Sequence, residues 1–272
     1  VKDIDFNLKK IVLSNRPSVN YSKLVLNYGS QTIIPKEFES LVKNRNAFSI
    51  KPFLRAYDSI LKEDIFDSVN ELPFVIVGSG LAAIEVSYAL RKRWRDRPLK
   101  LLCDSRKINN KILKSLRNSN IDLVEKLNFD YGKILLCTGN TSPLWAQKKL
   151  LDSDSHGRII TNQNLQIKSF SGIFAVGDCA VVGSAKRPAS GVFAVKVVNT
   201  LVQNLKKDIE GRSLKKWFPQ KIGLQIVNIF PSHHPKAFAI YRNFVFGPSF
   251  IFWILKHKID LNFIKKFRSK RL

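Results

Sequence analysis

Short apolar runs alternate with amphipathic helical patterns through the middle of the chain. The run Phe74–Val77 leads through a glycine turn into a helical pattern over residues 82–94. Further strands are predicted at residues 99–103, 121–124 and 134–137, with a helix near 109–117. Strands that alternate with helices in this way predict an α/β fold with a parallel, doubly wound sheet.

The pattern continues on both sides of this stretch. The further predicted elements are strands at residues 10–13, 23–26, 159–161 and 172–176 and helices at 53–61 and 191–206. Residues 217–272 differ from the rest of the chain because they are aromatic, basic and poor in acidic residues.

A glycine-rich turn stands between the strand Phe74–Val77 and its helix. Residues 78–83 have the spacing GxGxxA. In such a turn Gly78 allows the tight bend, Gly80 lets the backbone approach a pyrophosphate, and the small Ala83 lets the helix pack on the sheet. Backbone N–H groups and the positive end of the helix then hold the phosphates. The alternative is a glycine turn that binds nothing.

An acidic residue ends the next predicted strand. Asp104 is a candidate for binding the ribose hydroxyls of NAD, whereas Arg106 and Lys107 could instead hold the 2′-phosphate of NADP, so the sequence leaves both cofactors open. Glu85 lies on the first turns of the same helix as Ala83. It is either a site residue or a solvated carboxylate that the helix dipole favours.

The predicted strand at 172–176 ends in Gly177-Asp178. A carboxylate at a strand end can accept hydrogen bonds from a polyol, and a turn or capping aspartate is the alternative. Downstream, Ser190 is a candidate N-cap for the helix at 191–206. The N-terminus of that helix would favour an anionic group such as the N1/O2 edge of a reduced flavin.

Three segments in order resemble the pyridine nucleotide-disulfide oxidoreductase superfamily, and within it the type II NADH dehydrogenase-like flavoproteins. They are VIVGSGLAAIE (75–85), LLCTGNTSP (135–143) and GIFAVGDCA (172–180), and YSKLVLNYGS (21–30) resembles an earlier strand of the family's FAD domain. The resemblance covers about residues 1–210. It implies an α/β, two-dinucleotide-binding (Rossmann-like) flavoprotein fold with FAD and NAD(P)H as cofactors.

The motifs and the resemblance together give two sets of candidate binding residues. The NAD(P)H set comprises Gly78, Ser79, Gly80, Leu81, Ala82, Ala83, Glu85, Asp104, Arg106, Thr138 and Gly139. The FAD set comprises Gly29, Gly177, Asp178, Gly191, Val192 and Phe193. In the family pattern Glu85 matches an acid near the nicotinamide, Asp178 matches the aspartate on the ribityl chain, and Val192 and Phe193 place backbone N–H groups at the pyrimidine edge. No metal and no catalytic acid or nucleophile is implied for the hydride transfer.

Three features of the family have no counterpart in the sequence. The first GxGxxG, which holds the ADP half of FAD, should precede residue 1, and with the absence of methionine this predicts an N-terminal truncation and an incomplete FAD domain. Between Val124 and Ile134 there is no room for the usual β-meander. The redox CxxC is also missing, since the three cysteines lie far apart, so disulfide reduction is not implied.

We therefore expect four segments. Residues 1–50 and 140–215 belong to the FAD-binding domain, residues 51–139 form an abridged NAD(P)H-binding domain, and residues 216–272 form a basic, aromatic C-terminal segment. Segments 191–205, 219–228, 246–250 and 253–267 resemble the oxidoreductase module that is fused ahead of selenophosphate synthetase (selenide, water dikinase) in some bacteria. A selenophosphate synthetase module is thus a candidate partner.

The net charge of +25 attracts anions such as nucleotides, nucleic acid or acidic membranes, or it merely reflects a lysine-rich proteome. The basic residues are scattered, which argues against specific binding of nucleic acid. Residues 244–255 are apolar, too few to span a bilayer, and basic residues follow up to Arg271. A helix there could touch a membrane through residues 244–271, although a helix packed on the FAD domain is slightly favoured. Gly247-Pro248 is expected to start that helix.

The sequence thus predicts an FAD-dependent NAD(P)H oxidoreductase that passes a hydride from nicotinamide to flavin and then to an unknown acceptor. That acceptor is a quinone, a selenium or sulfur species, or another protein. Few cysteines and no secretory signal indicate a cytoplasmic protein, with a peripheral membrane contact left open. The alternatives are an inactive nucleotide-binding remnant and a charge-driven membrane or nucleic-acid binder.

Overall fold

The computed structural model describes residues 1–64, 71–143, 146, 151–183, 190–220, 222–229 and 234–268, without the side chains of 266–268. The chain divides into two compact units, of which the first comprises Val1–Gln31 and Asn140–Lys221 and the second Thr32–Gly139 and Ile222–Leu272. Residues 32–50 thus lie in the second unit, whereas the sequence analysis assigned them to the FAD-binding domain.

The described strands are β1 (Asp3–Asp5), β2 (Lys10–Val12), β3 (Val19–Asn20), β4 (Leu24–Leu26), β5 (Gln31–Thr32), β6 (Ala47–Ser49), β7 (Phe74–Val77), β8 (Leu99–Leu102), β9 (Ile121–Val124), β10 (Ile134–Leu136), β11 (Asn140–Thr141), β12 (Ile159–Thr161), β13 (Ile173–Ala175), β14 (Ala180–Val182), β15 (Gln225–Ile229), β16 (Lys236–Tyr241) and β17 (Phe244–Ser249). The described α-helices are α1 (Glu39–Lys43), α2 (Phe53–Asp64), α3 (Leu81–Arg93), α4 (Asn110–Asn118), α5 (Gly191–Lys196), α6 (Val198–Ile209) and α7 (Phe250–Arg268).

Three small sheets lie entirely within the described residues of the first unit. Strands β1, β2 and β3 form an antiparallel sheet, and β4 pairs with β13 and β12 with β14 in parallel. Leu26, Ile159 and Ile173 belong to one buried cluster of this unit. Because β4 and β13 are parallel, the loops that follow them leave the same edge of their sheet.

A parallel sheet with the order β6-β10-β7-β8-β9 forms the centre of the second unit. Phe74, Val75 and Ile76 of β7 are fully buried, which explains why this strand is a continuous apolar run rather than an alternating one. Helix α3 buries Ala83, among others, against this core. The α/β fold with a parallel sheet, which the alternation of strands and helices predicted, is therefore confirmed.

The C-terminal segment adds an antiparallel sheet, β15-β16-β17, which the sequence analysis did not predict. Helix α3 contacts β15, and Val227, Ile229 and Phe238 complete the same core as the parallel sheet. The sheet β15-β16-β17 therefore covers helix α3 with residues from the C-terminal segment.

In the described residues no strand lies between β9 and β10, as the short spacing there predicted.

Helix α7 contacts β15, β16 and β17, all within the second unit. The prediction that Gly247-Pro248 start this helix is wrong. Both residues lie in β17, because Ser249 still pairs with Ala237 of β16, and the Ser249 hydroxyl then accepts the N–H of Ile251. The helix consequently begins at Phe250.

A buried ion pair joins the end of α2 to the loop before β8. The Arg97 guanidinium lies 5.2 Å from the ring centre of Phe74 and 4.7 Å from that of Trp94, and its Nη2 donates to Glu63 Oε2 at 2.9 Å. The Arg97 side chain is 0% exposed. The carboxylate of Glu63 thus balances a charge that water cannot reach.

Substitution of Glu63 by alanine should lower the free energy of unfolding by about 3–5 kcal/mol, because it leaves Arg97 buried and unpaired. The matched control is Asp122→Ala, which removes the partner of Lys100 from a pair whose acid is 66% exposed. That change should cost at most about 1 kcal/mol. Urea denaturation measures both values, and equal losses would contradict the assignment.

Candidate functional site

Three loops of the second unit meet at the carboxyl edge of its parallel sheet. Val77 of β7 pairs with Leu102 of β8 on one side and with Leu136 of β10 on the other. The strand order reverses here, since β8 and β9 lie on one side of β7 and β10 on the other. Open α/β sheets bind their ligands at such a switch point, so the loops after β7, β8 and β10 form the candidate site.

The turn after β7 brings the backbone closer than a side chain would allow. Gly78 has φ +142°, and a Cβ built on it would lie 2.5 Å from the carbonyl oxygen of Cys137, which follows β10. Only glycine fits at this position. The contact holds the loops of β7 and β10 together at the edge of the sheet.

The second glycine of the motif faces open space instead. Gly80 is the N-cap residue of α3, and nothing lies within 4 Å of a Cβ built on it. The first N–H groups of a helix have no partner within it and attract anions. The turn therefore has the room and the donors that a pyrophosphate needs, while the roles predicted for residues 78–83 stay a prediction.

Asp104 lies beside this turn and is already paired. Its N–H donates to the Ser79 hydroxyl at 2.9 Å, and its carboxylate accepts from Arg106 Nε at 2.9 Å and Nη2 at 3.2 Å. Lys107 Nζ lies 3.5 Å from the same carboxylate. The hydrogen bonds from Arg106 lower the pKa of Asp104 to about 2. The two alternatives for the ribose end, the acid and the basic pair, thus form one cluster.

Thr138 and Gly139 lie on the other side of the turn, after β10. The Thr138 hydroxyl donates to the carbonyl oxygen of Ile33, and the Ile33 N–H donates to the Gly139 carbonyl at 3.1 Å. These bonds fix the loop at the edge of the sheet. Both predicted residues are therefore next to the candidate site.

Glu85 has a partner that the sequence analysis did not predict. Lys256 of α7 places Nζ 2.5 Å from Glu85 Oε1 and also donates to the carbonyl oxygen of Ile226 at 2.9 Å. The Glu85 side chain remains 38% exposed. Glu85 is therefore neither a simply solvated carboxylate nor remote from the C-terminal segment. The two residues are 171 positions apart, and no local pattern indicates the pair.

Two of the cysteines end strands of the same sheet. Cys103 follows β8 and Cys137 follows β10, and both are buried and free. Burial raises the pKa of both thiols, that of Cys137 to about 12. Both side chains are consequently protonated at neutral pH.

The predicted FAD residues lie in the first unit. Asp178 is in a 3-10 turn, Gly177–Cys179, after β13, and Gly29 is in the loop after the parallel neighbour β4. Ser30 Oγ donates to Asp178 Oδ2 at 3.3 Å, which joins these two loops. The carboxylate is thus at a sheet edge, where a polyol could reach it.

Helix α5, with Gly191, Val192 and Phe193 in its first turn, contacts the turn that carries Asp178. The Ser190 side chain makes no capping hydrogen bond, contrary to the prediction. Its carbonyl oxygen instead accepts the Phe193 N–H at 3.1 Å, because α5 begins with a tight turn. This N–H is already used within the helix, which argues against its predicted role as a donor to flavin.

A cleft opens beside α5 in the same unit. Its lining is mostly apolar and includes Gly177, Ser190, Phe193, Ala194, Val197 and Trp217. Two of the predicted FAD residues, Gly177 and Phe193, therefore border open space. Among the residues that the structure describes, no group of three His, Cys, Asp or Glu side chains could hold a metal ion.

The chain is similar to several known proteins. It is 24% identical to Ferroptosis suppressor protein 1 of Homo sapiens over 256 residues, which cover 80% of the chain and 65% of that protein. It is also 24% identical to a Probable NADH dehydrogenase of Dictyostelium discoideum over 67% of the chain and 52% of that protein. The chain thus spans about two thirds or less of the length of these relatives. No protein-family model matches it.

A solved structure agrees with these relatives. The sulfide:quinone oxidoreductase of Aquifex aeolicus superposes with a TM-score of 0.69 at 17% identity, over 98% of this chain and 74% of that protein. The likeness confirms the predicted two-dinucleotide-binding fold. The relatives support the resemblance to pyridine nucleotide-disulfide oxidoreductases and their NADH dehydrogenase-like members. None of these three names includes a selenophosphate synthetase, so that partner stays a prediction.

The two glycines of the turn should respond differently to the same added methyl group. Gly78→Ala should lower the free energy of unfolding by at least about 2 kcal/mol, because its backbone is strained for alanine and Cys137 blocks the space. Gly80→Ala should cost at most about 1 kcal/mol, the usual loss at an N-cap. Gly80→Ala should nevertheless bind ADP-ribose at least about tenfold more weakly, because the methyl group occupies the space over the turn.

Urea denaturation and titration calorimetry measure these two quantities on the same preparations. Wild-type affinity for ADP-ribose in Gly80→Ala would contradict the placement of the pyrophosphate. Equal losses of stability in the two variants would contradict the assigned roles of Gly78 and Gly80.

Proposed function

We propose that the protein is an FAD-dependent NAD(P)H dehydrogenase. One observation carries the proposal: the open space over Gly80 lies at the switch point of a parallel sheet, at the N-terminus of α3. The names of the relatives, which include a Probable NADH dehydrogenase, support the same reaction class. When bound, the two cofactors supply the redox chemistry, a hydride transfer from nicotinamide C4 to flavin N5.

The chain's own residues bind and orient the nicotinamide cofactor. The N–H groups of the first turn of α3 hold the pyrophosphate, and Gly80 gives it room to approach. Asp104 and its basic partners bind the adenosine ribose on one side, and Thr138 and Gly139 border the other. Glu85, held by Lys256, lies toward the nicotinamide end, as the resemblance implies. Positioning of this kind accounts for much of the rate of hydride transfer.

The chain matches the ribityl part of FAD but contains no glycine turn for its ADP half. The carboxylate of Asp178, joined to Ser30, suits the hydroxyl groups of a ribityl chain. The sequence contains one GxGxxA turn, at residues 78–83, and no second turn of this kind for the ADP half of FAD. Flavin binding and nicotinamide binding are therefore measured separately.

The purified protein should carry flavin, or take it up from added FAD, and NADH or NADPH should bleach the flavin absorbance without oxygen. The control variant Gly80→Ala should keep its flavin, be bleached by dithionite as wild type is, and react with the nicotinamide at least about tenfold more slowly, as the lost pyrophosphate contact requires. A protein that takes up no flavin, or a flavin that NAD(P)H does not bleach, would contradict the proposal and favour a nucleotide-binding remnant.

We further propose that the protein is cytoplasmic and touches a membrane surface through α7. The outer part of this helix is exposed on every side, from residue 257 to 265. Ile251 and Ile259 are 72% and 53% exposed, and the lysines Lys258 and Lys265 are exposed on the same helix. No described helix is both long enough and apolar enough to cross a membrane. Exposed apolar side chains next to lysines suit the interface of an anionic bilayer.

A membrane surface also narrows the choice of electron acceptor. A quinone dissolves in the bilayer, and the solved structure with 98% coverage of this chain is a sulfide:quinone oxidoreductase. We therefore propose a quinone as the acceptor, ahead of a selenium or sulfur species or a protein. No observation favours specific binding of nucleic acid.

Vesicle co-sedimentation tests the membrane contact. Vesicles of phosphatidylcholine with phosphatidylserine should bind the protein, and more strongly at low salt. Ile259→Glu should weaken binding by roughly 10- to 100-fold, since burying an isoleucine contributes about 1.5–3 kcal/mol. Leu54→Glu is the matched control, because Leu54 of α2 is 76% exposed in the same unit.

This control should bind as wild type does. Equal loss in the two variants would show that charge alone governs the binding. Failure of the wild-type protein to bind at low salt would overturn the membrane proposal.

A further inference from the structure

We propose that the ribose end of the candidate site selects NADPH over NADH, with Arg106 and Lys107 as the phosphate-binding residues and Asp104 as the residue that positions them. This inference rests on the proposed function, because it assumes that a nicotinamide dinucleotide binds at the turn of residues 78–83. The sequence alone does not distinguish NAD from NADP, and this proposal favours NADP.

The cluster of Asp104, Arg106 and Lys107 lies beside the turn of residues 78–83. Ser79 lies between the two glycines of the turn, and its hydroxyl accepts the N–H of Asp104 at 2.9 Å. The loop after β8 is thereby fixed beside the turn, on the side where an adenosine ribose lies in this fold class. A side chain of this loop is therefore within reach of the 2′ position.

The carboxylate of Asp104 has little capacity left for a ribose. A carboxylate offers about four lone-pair sites. Asp104 already accepts from the N–H of Arg106 at 3.2 Å, from Nε and Nη2 of the same residue, and has Lys107 Nζ at 3.5 Å. The two hydroxyl groups of NADH would have to displace charged donors, and charged donors form the stronger hydrogen bonds.

The charges around the ribose end are compatible with the same cofactor. An isolated Asp104 would repel a 2′-phosphate, but Arg106 and Lys107 outweigh it. Glu125 lies nearby, where its Oε1 accepts a hydrogen bond from the Ser105 hydroxyl at 3.1 Å. With Asp104, Arg106 and Lys107 it forms a group of four charged side chains whose net charge is zero. The repulsion that normally excludes NADP from an acidic ribose site is therefore absent.

Arg106 is also accessible to a phosphate. Its side chain is 88% exposed, and that of Lys107 is 72% exposed, so neither loses buried contacts by moving. The planar guanidinium matches a phosphate with two parallel hydrogen bonds, whereas a ribose hydroxyl cannot use them. Asp104 holds the guanidinium at the site before the cofactor arrives.

Titration calorimetry with two adenosine nucleotides tests this directly, without flavin or turnover. Adenosine 2′,5′-bisphosphate and adenosine 5′-monophosphate differ only in the 2′-phosphate. The bisphosphate should bind to the wild-type protein at least about tenfold more tightly, which is about 1.4 kcal/mol. Arg106→Ala should lower that ratio, because only Lys107 then remains to bind the phosphate. It should leave the affinity for the monophosphate unchanged or higher, because it releases Asp104.

Arg95→Ala is the matched control. It removes the same charge from an exposed arginine in the loop between α3 and β8, at the opposite edge of the sheet. This variant should keep the tenfold ratio. A loss of the ratio in Arg95→Ala as well would mean that the overall charge and not Arg106 selects the phosphate, which would overturn the inference.

Two further outcomes separate this inference from the proposed function. If the monophosphate binds as tightly as the bisphosphate, the inference is overturned while the nucleotide site stands. If neither probe binds, the nucleotide site fails and the inference fails with it.

Discussion

The close approach at Gly78 is the constraint on which the candidate site depends. A Cβ at this position would lie 2.5 Å from the carbonyl oxygen of Cys137, so only glycine lets the loops after β7 and β10 leave the sheet side by side. The same turn sets the start of α3 and places Ser79 where its hydroxyl accepts the N–H of Asp104. One backbone contact thus fixes the pyrophosphate turn, the ribose cluster and the neighbouring loop in a common geometry.

The C-terminal segment contributes to this unit in two ways. Strands β15 and β16 bury Val227, Ile229 and Phe238 in the core that α3 shares with the parallel sheet. Helix α7 then brings Lys256 to Glu85, while its outer part stays exposed. A helix that we propose to lie on a membrane is therefore ion-paired to the acid that the resemblance places near the nicotinamide.

Local features of the sequence predicted most of the parallel sheet. The strands β7 and β9 of this sheet, and β12 of the first unit, have the predicted bounds, because each is a short, mostly apolar run that polar or glycine residues follow. The contacts that were missed are distant in sequence. Lys256 is 171 positions from Glu85, and β15 to β17 are recognisable only once their pairing and their burial against α3 are known. Serine is a residue type that commonly caps helices, which is why Ser190 was predicted as the cap. In this turn its carbonyl oxygen, and not its side chain, accepts the hydrogen bond.

Hydrogen exchange of the backbone amides, with and without NADPH, is the most direct test of the central claim. The first N–H groups of α3 have no partner within the helix, and a bound pyrophosphate would give them one. The account predicts slower exchange at residues 78–83 and 103–107 when NADPH is present, and no change at residues 94–98 on the opposite edge of the sheet. Unchanged exchange at residues 78–83 under saturating NADPH would contradict it.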